Sequence, residues 1–159
     1  MKLNNIVVEN HSDTKVVLRN ILRAVDFYKK IARIEIVSLS ISLIDDPEME
    51  RINITHLGHE GSTDIITFDY REPDNKDNNK IDAELIICPG QAKLNAKEYG
   101  VPLKQELMRL LFHGLLHLTG YDDTDAVKRR KMKKREDEIL NLWNQYNLSL
   151  SNNNGAING

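Results

Sequence analysis

Residues 103–123 read LKQELMRLLFHGLLHLTGYDD. Leu103 to Leu118 forms the most apolar helical stretch of the chain, opened by Pro102 and ended by Gly120. Two histidines, His113 and His117, stand four apart within it. On a helix this spacing puts both rings on one face, about 5–6 Å apart at Cβ. Two imidazole nitrogens so placed can share one metal ion at about 2.0–2.1 Å. Leu110, Leu111, Phe112, Leu115, Leu116 and Leu118 surround them, so two polar rings are desolvated unless something satisfies them. Either each ring finds a carbonyl or carboxylate in the core, or the pair holds a metal. Gly120 can take a positive φ and turn the chain back. That turn brings Asp122 or Asp123 toward a third corner. Three protein ligands with an open fourth position describe a catalytic rather than a structural site. The HExxH protease signature has its general base directly after the first histidine. Here that position is Gly114, which disfavours peptide hydrolysis.

Outward from this helix, the chain alternates between strand and helix patterns. Leu3 to Glu9 reads as a short strand, and 14–31 as an amphipathic helix on Val17, Ile21, Val25 and Tyr28. Ile34 to Ile44 alternates as a strand, and Asp45-Asp46-Pro47-Glu48 starts a helix reaching about Thr55. Ile65 to Asp69 and Ile81 to Cys88 are two further strands, separated by the exposed loop Arg71 to Lys80. Gln91 to Tyr99 is a short helix, and a last one spans about Asp125 to Asn147 with Met132, Ile139, Leu142, Trp143 and Tyr146 as its packed stripe. The order predicts a small mixed sheet of about four strands covered by five or so helices. Residues 1–148 form a single domain, and the Asn/Ser/Gly-rich 149–159 a disordered tail.

At 159 residues the chain has room for one core. Its charged and apolar shares, 29% and 40%, are those of an ordinary soluble globule. Cys88 stands alone, so neither an internal disulfide nor a cysteine metal cluster is available. With no signal-peptide pattern at the start and no apolar run near roughly 18 residues, a cytoplasmic protein without membrane contact is expected. The formal charge of −2 argues against nucleic acid only as a sum. Seven of the 22 cations lie in Lys128–Arg135, KRRKMKKR, which holds no acid. The other 151 residues carry 15 cations against 24 acids, a balance of −9. A basic helix on an acidic body can follow an RNA backbone; equally, it can be a solvated face whose Lys133–Asp137 and Lys134–Glu138 pairs are internal.

The stretch HGLLHLTGYDD (113–123) resembles the signature H-G-x-x-H-x-x-G-Y-x-H of the YbeY family, metal-dependent endoribonucleases of bacterial ribosomal RNA maturation. Ser62 to Phe68, STDIITF, resembles that family's T-D-V-L-S-F strand, and Asp82 to Pro89, DAELIICP, its G-D-I-x-I-x strand. The resemblance covers about residues 1–146. It implies an α+β fold with one Zn2+ per chain, facing a cleft and held by His113, His117 and Asp123, with Asp122 the fallback. It also implies single-strand-specific cleavage of RNA in small-subunit ribosomal RNA processing and ribosome maturation. Thr63, Asp64 and His59 would lie at the substrate, and Lys128 and Arg129 would open the basic block toward it.

Two departures qualify the match. The family's third histidine falls on Asp123, whose oxygen binds zinc at about 2.0–2.2 Å, so a two-histidine, one-carboxylate site remains chemically sound. Such a site is less positive by one charge, which makes its water less acidic and favours a harder metal. Asp123 could instead cap the last helix, a role open to Thr124 or Asp125 as well. Upstream, the family's arginine near the substrate phosphate falls on Leu57, and His59 replaces a basic position. No residue identifies itself as a general acid. The alternatives are a metal-site hydrolase of another substrate and a ribosome-associated RNA-binding factor with structural zinc.

Overall fold

The structure is a computed structural model that describes the backbone of residues 1–158 and the side chains of 1–153. It contains β1 (Lys2–Leu3), β2 (Ile6–Asn10), α1 (Leu18–Ala32), β3 (Glu35–Leu43), α2 (Asp46–Leu57), β4 (Ile65–Asp69), β5 (Lys80–Ile87), α3 (Pro89–Tyr99), α4 (Leu103–Leu118) and α5 (Ala126–Asn158). A single 3-10 turn, Pro73–Asn75, interrupts the polar loop between β4 and β5. The sheet order is β1-β2-β3-β5-β4. The three inner strands β2, β3 and β5 run parallel, while β1 and β4 pair antiparallel at the two edges. This is an α+β fold with a mixed sheet.

The sheet has five strands where about four were expected. The additional one is Lys2–Leu3, turned back onto β2 through Asn4, whose φ is 53°. Two residues are too short to carry an alternating pattern, so the hairpin is invisible to periodicity.

Strand β5 shows why the molecule is layered. Ile81, Ala83, Leu85 and Ile87 point to one face and join the main core with β2, β3, α1, α4 and α5. Ile86 points to the other and meets Ile44, Met49, Ile66 and Cys88 beneath α2. A strand stretch covered on both faces reads as a continuous apolar run, as Leu85 to Cys88 does at the end of β5. Helix α4 lies directly on the sheet, and Gly114 is what permits it. A Cβ there would come within 3.0 Å of both Ile65 Cδ1 and Leu85 Cδ2.

Helix α5 begins at Ala126 and continues past Asn147 to Asn158. Of the expected disordered tail, residues 149–158 lie on this helix; the side chains of 154–159 and the placement of Gly159 fall outside the described residues. Its buried stripe is Met132, Glu136, Ile139 and Trp143. Leu142 and Tyr146, expected in that stripe, are 41% and 42% exposed. Tyr146 instead stacks on Phe27, ring centroids 5.2 Å apart. No helix among the described residues is long and apolar enough to cross a membrane.

Candidate metal centre

Helix α4 presents both histidines beside the edge strand β4, their ring centroids 4.8 Å apart and nearly perpendicular. The end of α4 is held by Thr119, whose hydroxyl donates to Leu115 O and pairs with the Tyr28 hydroxyl of α1. Burial pushes the Tyr28 phenol up to about 12, so it stays neutral and able to donate. The chain then turns at Gly120 with φ 107°. The backbone angle there favours glycine, and the Asn78 side chain packs against the space a Cβ would occupy.

The turn separates the two aspartates into different jobs. Asp122 folds back, accepting from Thr124 N at 2.7 Å, and faces Lys128 at 3.5 Å. Asp125 is the cap of α5, accepting from Lys128 N at 2.8 Å. Asp123 therefore has no capping duty. Its Oδ2 lies 3.7 Å from His117 Nε2, and its carboxylate is half exposed. One ligand atom from each of His113, His117 and Asp123 falls within 4.8 Å of the others, a group that can hold a metal ion.

His113 is oriented from behind. Its Nδ1 donates to Oε1 of Glu136 on α5 at 2.7 Å, which leaves Nε2 as the free ring nitrogen. Glu136 is only 1% exposed. Burial alone would raise its pKa, but the bonds from His113 and Lys133 and the charge of Arg109 hold it below the usual carboxylate range. Arg109 lies 3.6 Å from Glu136 and is bound through Nε to Glu106 at 2.9 Å. Glu106, also 1% exposed, accepts from Asn95 at 3.4 Å, and Asn95 donates to Asp64 at 3.0 Å. Helices α3, α4 and α5 are thus joined behind the histidines by one polar chain, from Asp64 to His113.

Burial lowers the pKa of His117, and the neighbouring His113 adds to this; Asp123 opposes both. His117 is accordingly neutral at pH 7, the form in which an imidazole can coordinate a metal. Two imidazoles and a carboxylate, with one imidazole fixed by a carboxylate behind it, form a donor set chemically suited to zinc.

The histidines open onto a cleft of about 490 Å³, whose walls include Asp64, Thr67 and Asp69. Of the residues expected at the substrate, Asp64 lines this cleft, whereas Thr63 precedes it on the loop and His59 is exposed after α2. Lys128 is engaged with Asp122 and Asp125, and Arg129 donates to the backbone carbonyl of Asp123 at 3.3 Å. Both therefore stand against the aspartate turn instead of lining the cleft. Thr67 and Asp69 escaped the sequence reading, although Ile65, Thr67 and Asp69 alternate on β4 and must share one face. Asp69 is clamped by Arg71, whose bonds bring its pKa down to about 2.

In the basic block, ion pairs engage Lys128, Lys133 and Arg135. The expected Lys133–Asp137 pair forms at 2.9 Å, but Glu138 is taken by Arg135 instead of Lys134. Arg130, Lys131 and Lys134 have no ion pair among the described residues, and their i, i+3 and i, i+4 spacing places them together.

Fold and site together define an α+β protein with two histidines on a cleft beside a mixed sheet and a carboxylate grouped with them. Residues 3–144 match the family described as Endoribonuclease YbeY. The Endoribonuclease YbeY of Persephonella marina is 32% identical over 146 residues, covering 91% of this chain and 95% of that protein. That of Thermodesulfovibrio yellowstonii is 34% identical over 138 residues, covering 80% and 86%. A Thermotoga maritima protein solved in solution shares the fold with a TM-score of 0.59 at 22% identity, covering 89% of this chain and 93% of that one. The chain belongs to the Endoribonuclease YbeY family.

Proposed function

We propose that this protein is a metal-dependent endoribonuclease that cleaves single-stranded RNA in the cytoplasm, with small-subunit ribosomal RNA as its substrate in ribosome maturation. The observation that carries the proposal is the convergence of His113, His117 and Asp123 within 4.8 Å, with both histidines on a cleft wall, in a chain of the YbeY family. One Zn2+ per chain would be held by His113 Nε2, His117 and Asp123. When bound, the ion supplies Lewis-acid polarisation of a phosphoryl oxygen and lowers the pKa of water. The ribosomal substrate rests on the resemblance of the HGLLHLTGYDD stretch to the family signature.

The chain's own residues have definable tasks in this reading. Glu136 fixes the His113 ring and its tautomer; Arg109 and Lys133 keep Glu136 ionised. Asn95 fixes the Asp64 carboxylate on the cleft wall. Arg130, Lys131 and Lys134 attract the RNA backbone without reading its sequence.

The test compares cleavage of single-stranded and duplex RNA by the purified, zinc-supplied protein, wild type against His117→Ala. Cleavage of the single strand by wild type alone is expected. Equal cleavage by both proteins would show that the histidine site is not the catalytic one.

A further inference from the structure

A second cleft, of about 520 Å³, adjoins the first and shares His113 as part of its wall. It lies where the end of α3 and the start of α4 face α5. Its size falls in the range of roughly 300–1,000 Å³ typical of small-ligand pockets. Val101 and Leu140 supply apolar surface, and Gln105 supplies an amide with both donor and acceptor. The guanidinium of Arg109 lies over the ring of Tyr99, 5.8 Å from its centroid. Tyr99 nevertheless remains 59% exposed, an aromatic surface in open contact with the cleft.

Charge decides between the parts of an RNA strand that such a cleft can accept. Three carboxylates, Glu106, Glu136 and Asp137, face two cations, Arg109 and Lys133. A phosphate would meet a net acidic lining. A flat, neutral heterocycle meets apolar walls, an aromatic ring and a guanidinium to stack against, and polar groups for its edge. Asp137 and Gln105 both offer oxygens to an exocyclic amine.

We propose that this cleft is a base pocket: it receives one unpaired nucleobase of the RNA strand whose backbone passes the His113–His117 cleft, with Tyr99 as the stacking residue and Gln105 at the base edge. The proposal rests on the endoribonuclease reading and extends it with a separate contact to the substrate. Only an unstacked, unpaired base can enter, so the pocket selects single strands.

The test measures fluorescence-anisotropy binding of a single-stranded 2′-O-methyl RNA hexamer to the zinc-supplied protein, with the intactness of the hexamer confirmed on a gel. An abasic residue is then placed at each position in turn. Tyr99→Ala is expected to weaken binding about tenfold or more, and Tyr99→Phe to stay within about twofold. Removing the base at one position should weaken wild type by the same factor and leave the Tyr99→Ala variant unchanged. Gln105→Ala should alter the ranking of the four bases at that position, and it decides the matter if Tyr99→Ala misfolds. Wild-type affinity in Tyr99→Ala, or equal abasic losses in both proteins, overturns the pocket alone. Failure of the wild type to bind or cleave any RNA overturns the endoribonuclease reading, and the pocket with it.

Discussion

The Nδ1 atom of His113 lies 2.7 Å from Oε1 of Glu136, and that glutamate, 23 residues away in sequence, is buried to 1% exposure. A charged carboxylate in such a place is stable only because His113, Lys133 and Arg109 surround it. The arrangement leaves the other ring nitrogen of His113 free, in a group with His117 and Asp123. Glu136→Gln keeps an acceptor for Nδ1 but removes the charge that makes the imidazole a better donor to a metal. Zinc affinity should fall about 10- to 100-fold, as read by competition with a chromophoric chelator. Unchanged affinity would remove Glu136 from the account of the site.

Gly114 should tolerate no side chain. In an ordinary helix, glycine to alanine stabilises by roughly 0.5–1 kcal/mol. Here the added Cβ meets Ile65 and Leu85 at 3.0 Å, at the contact of α4 with the sheet. Overpacking of this kind costs about 1–3 kcal/mol, so Gly114→Ala should be net destabilising in urea titration. A gain in stability would mean that α4 has room to move off β4 and β5.

The pairing of Asp69 with Arg71 predicts a contribution that acid removes. The Asp69 carboxyl has its folded pKa lowered from 3.8 to about 2. A depressed pKa means that the folded state binds its proton less readily than the unfolded one. The stabilisation is complete well above pH 4 and is lost as pH falls toward 2. Its size is about 2 kcal/mol for a shift of this order. Asp69→Asn should lower the urea midpoint at pH 7 and make little difference near pH 2. Equal losses at both pH values would assign the effect to packing instead of charge.

Arg130, Lys131 and Lys134, the cations of the basic block with neither an ion pair nor a side-chain hydrogen bond among the described residues, predict a salt-dependent interaction with RNA. Each phosphate contact to a single strand contributes about −0.7 to the slope of log K against log salt. Replacing Arg130 and Lys134 by alanine should therefore flatten the slope by about 1.4 in all, with weaker binding across unrelated sequences. A variant slope equal to that of wild type would place the RNA elsewhere.

Much of this site was legible before any coordinates. Spacing puts His113 and His117 together, and the turn that Gly120 permits offers Asp122 or Asp123, between which only the family resemblance points to Asp123. The choice between Asp122 and Asp123 was not legible, because it depends on which carboxylate the loop and the helix cap engage, and Asp125 proved to be the cap. Glu136 was hidden in a run of three acids behind seven cations. Its signal was present all the same, since Met132, Glu136, Ile139 and Trp143 recur at helical spacing and place a carboxylate on the buried stripe. Gly114 read only as a missing catalytic base, whereas its role is the close approach of α4 to the sheet. The strand Lys2–Leu3 depends on tertiary pairing that a local pattern does not encode, and the alternation of Ile65, Thr67 and Asp69 groups them on one face without saying that this face meets α4 at the cleft.

The most direct measurement is the metal content of the purified, zinc-supplied protein by inductively coupled plasma mass spectrometry, wild type beside His117→Ala. About one zinc per chain in wild type, and close to none in the variant, is the predicted result, from one ion held by three ligands. Absence of stoichiometric metal in wild type, or equal metal in both proteins, would contradict the account.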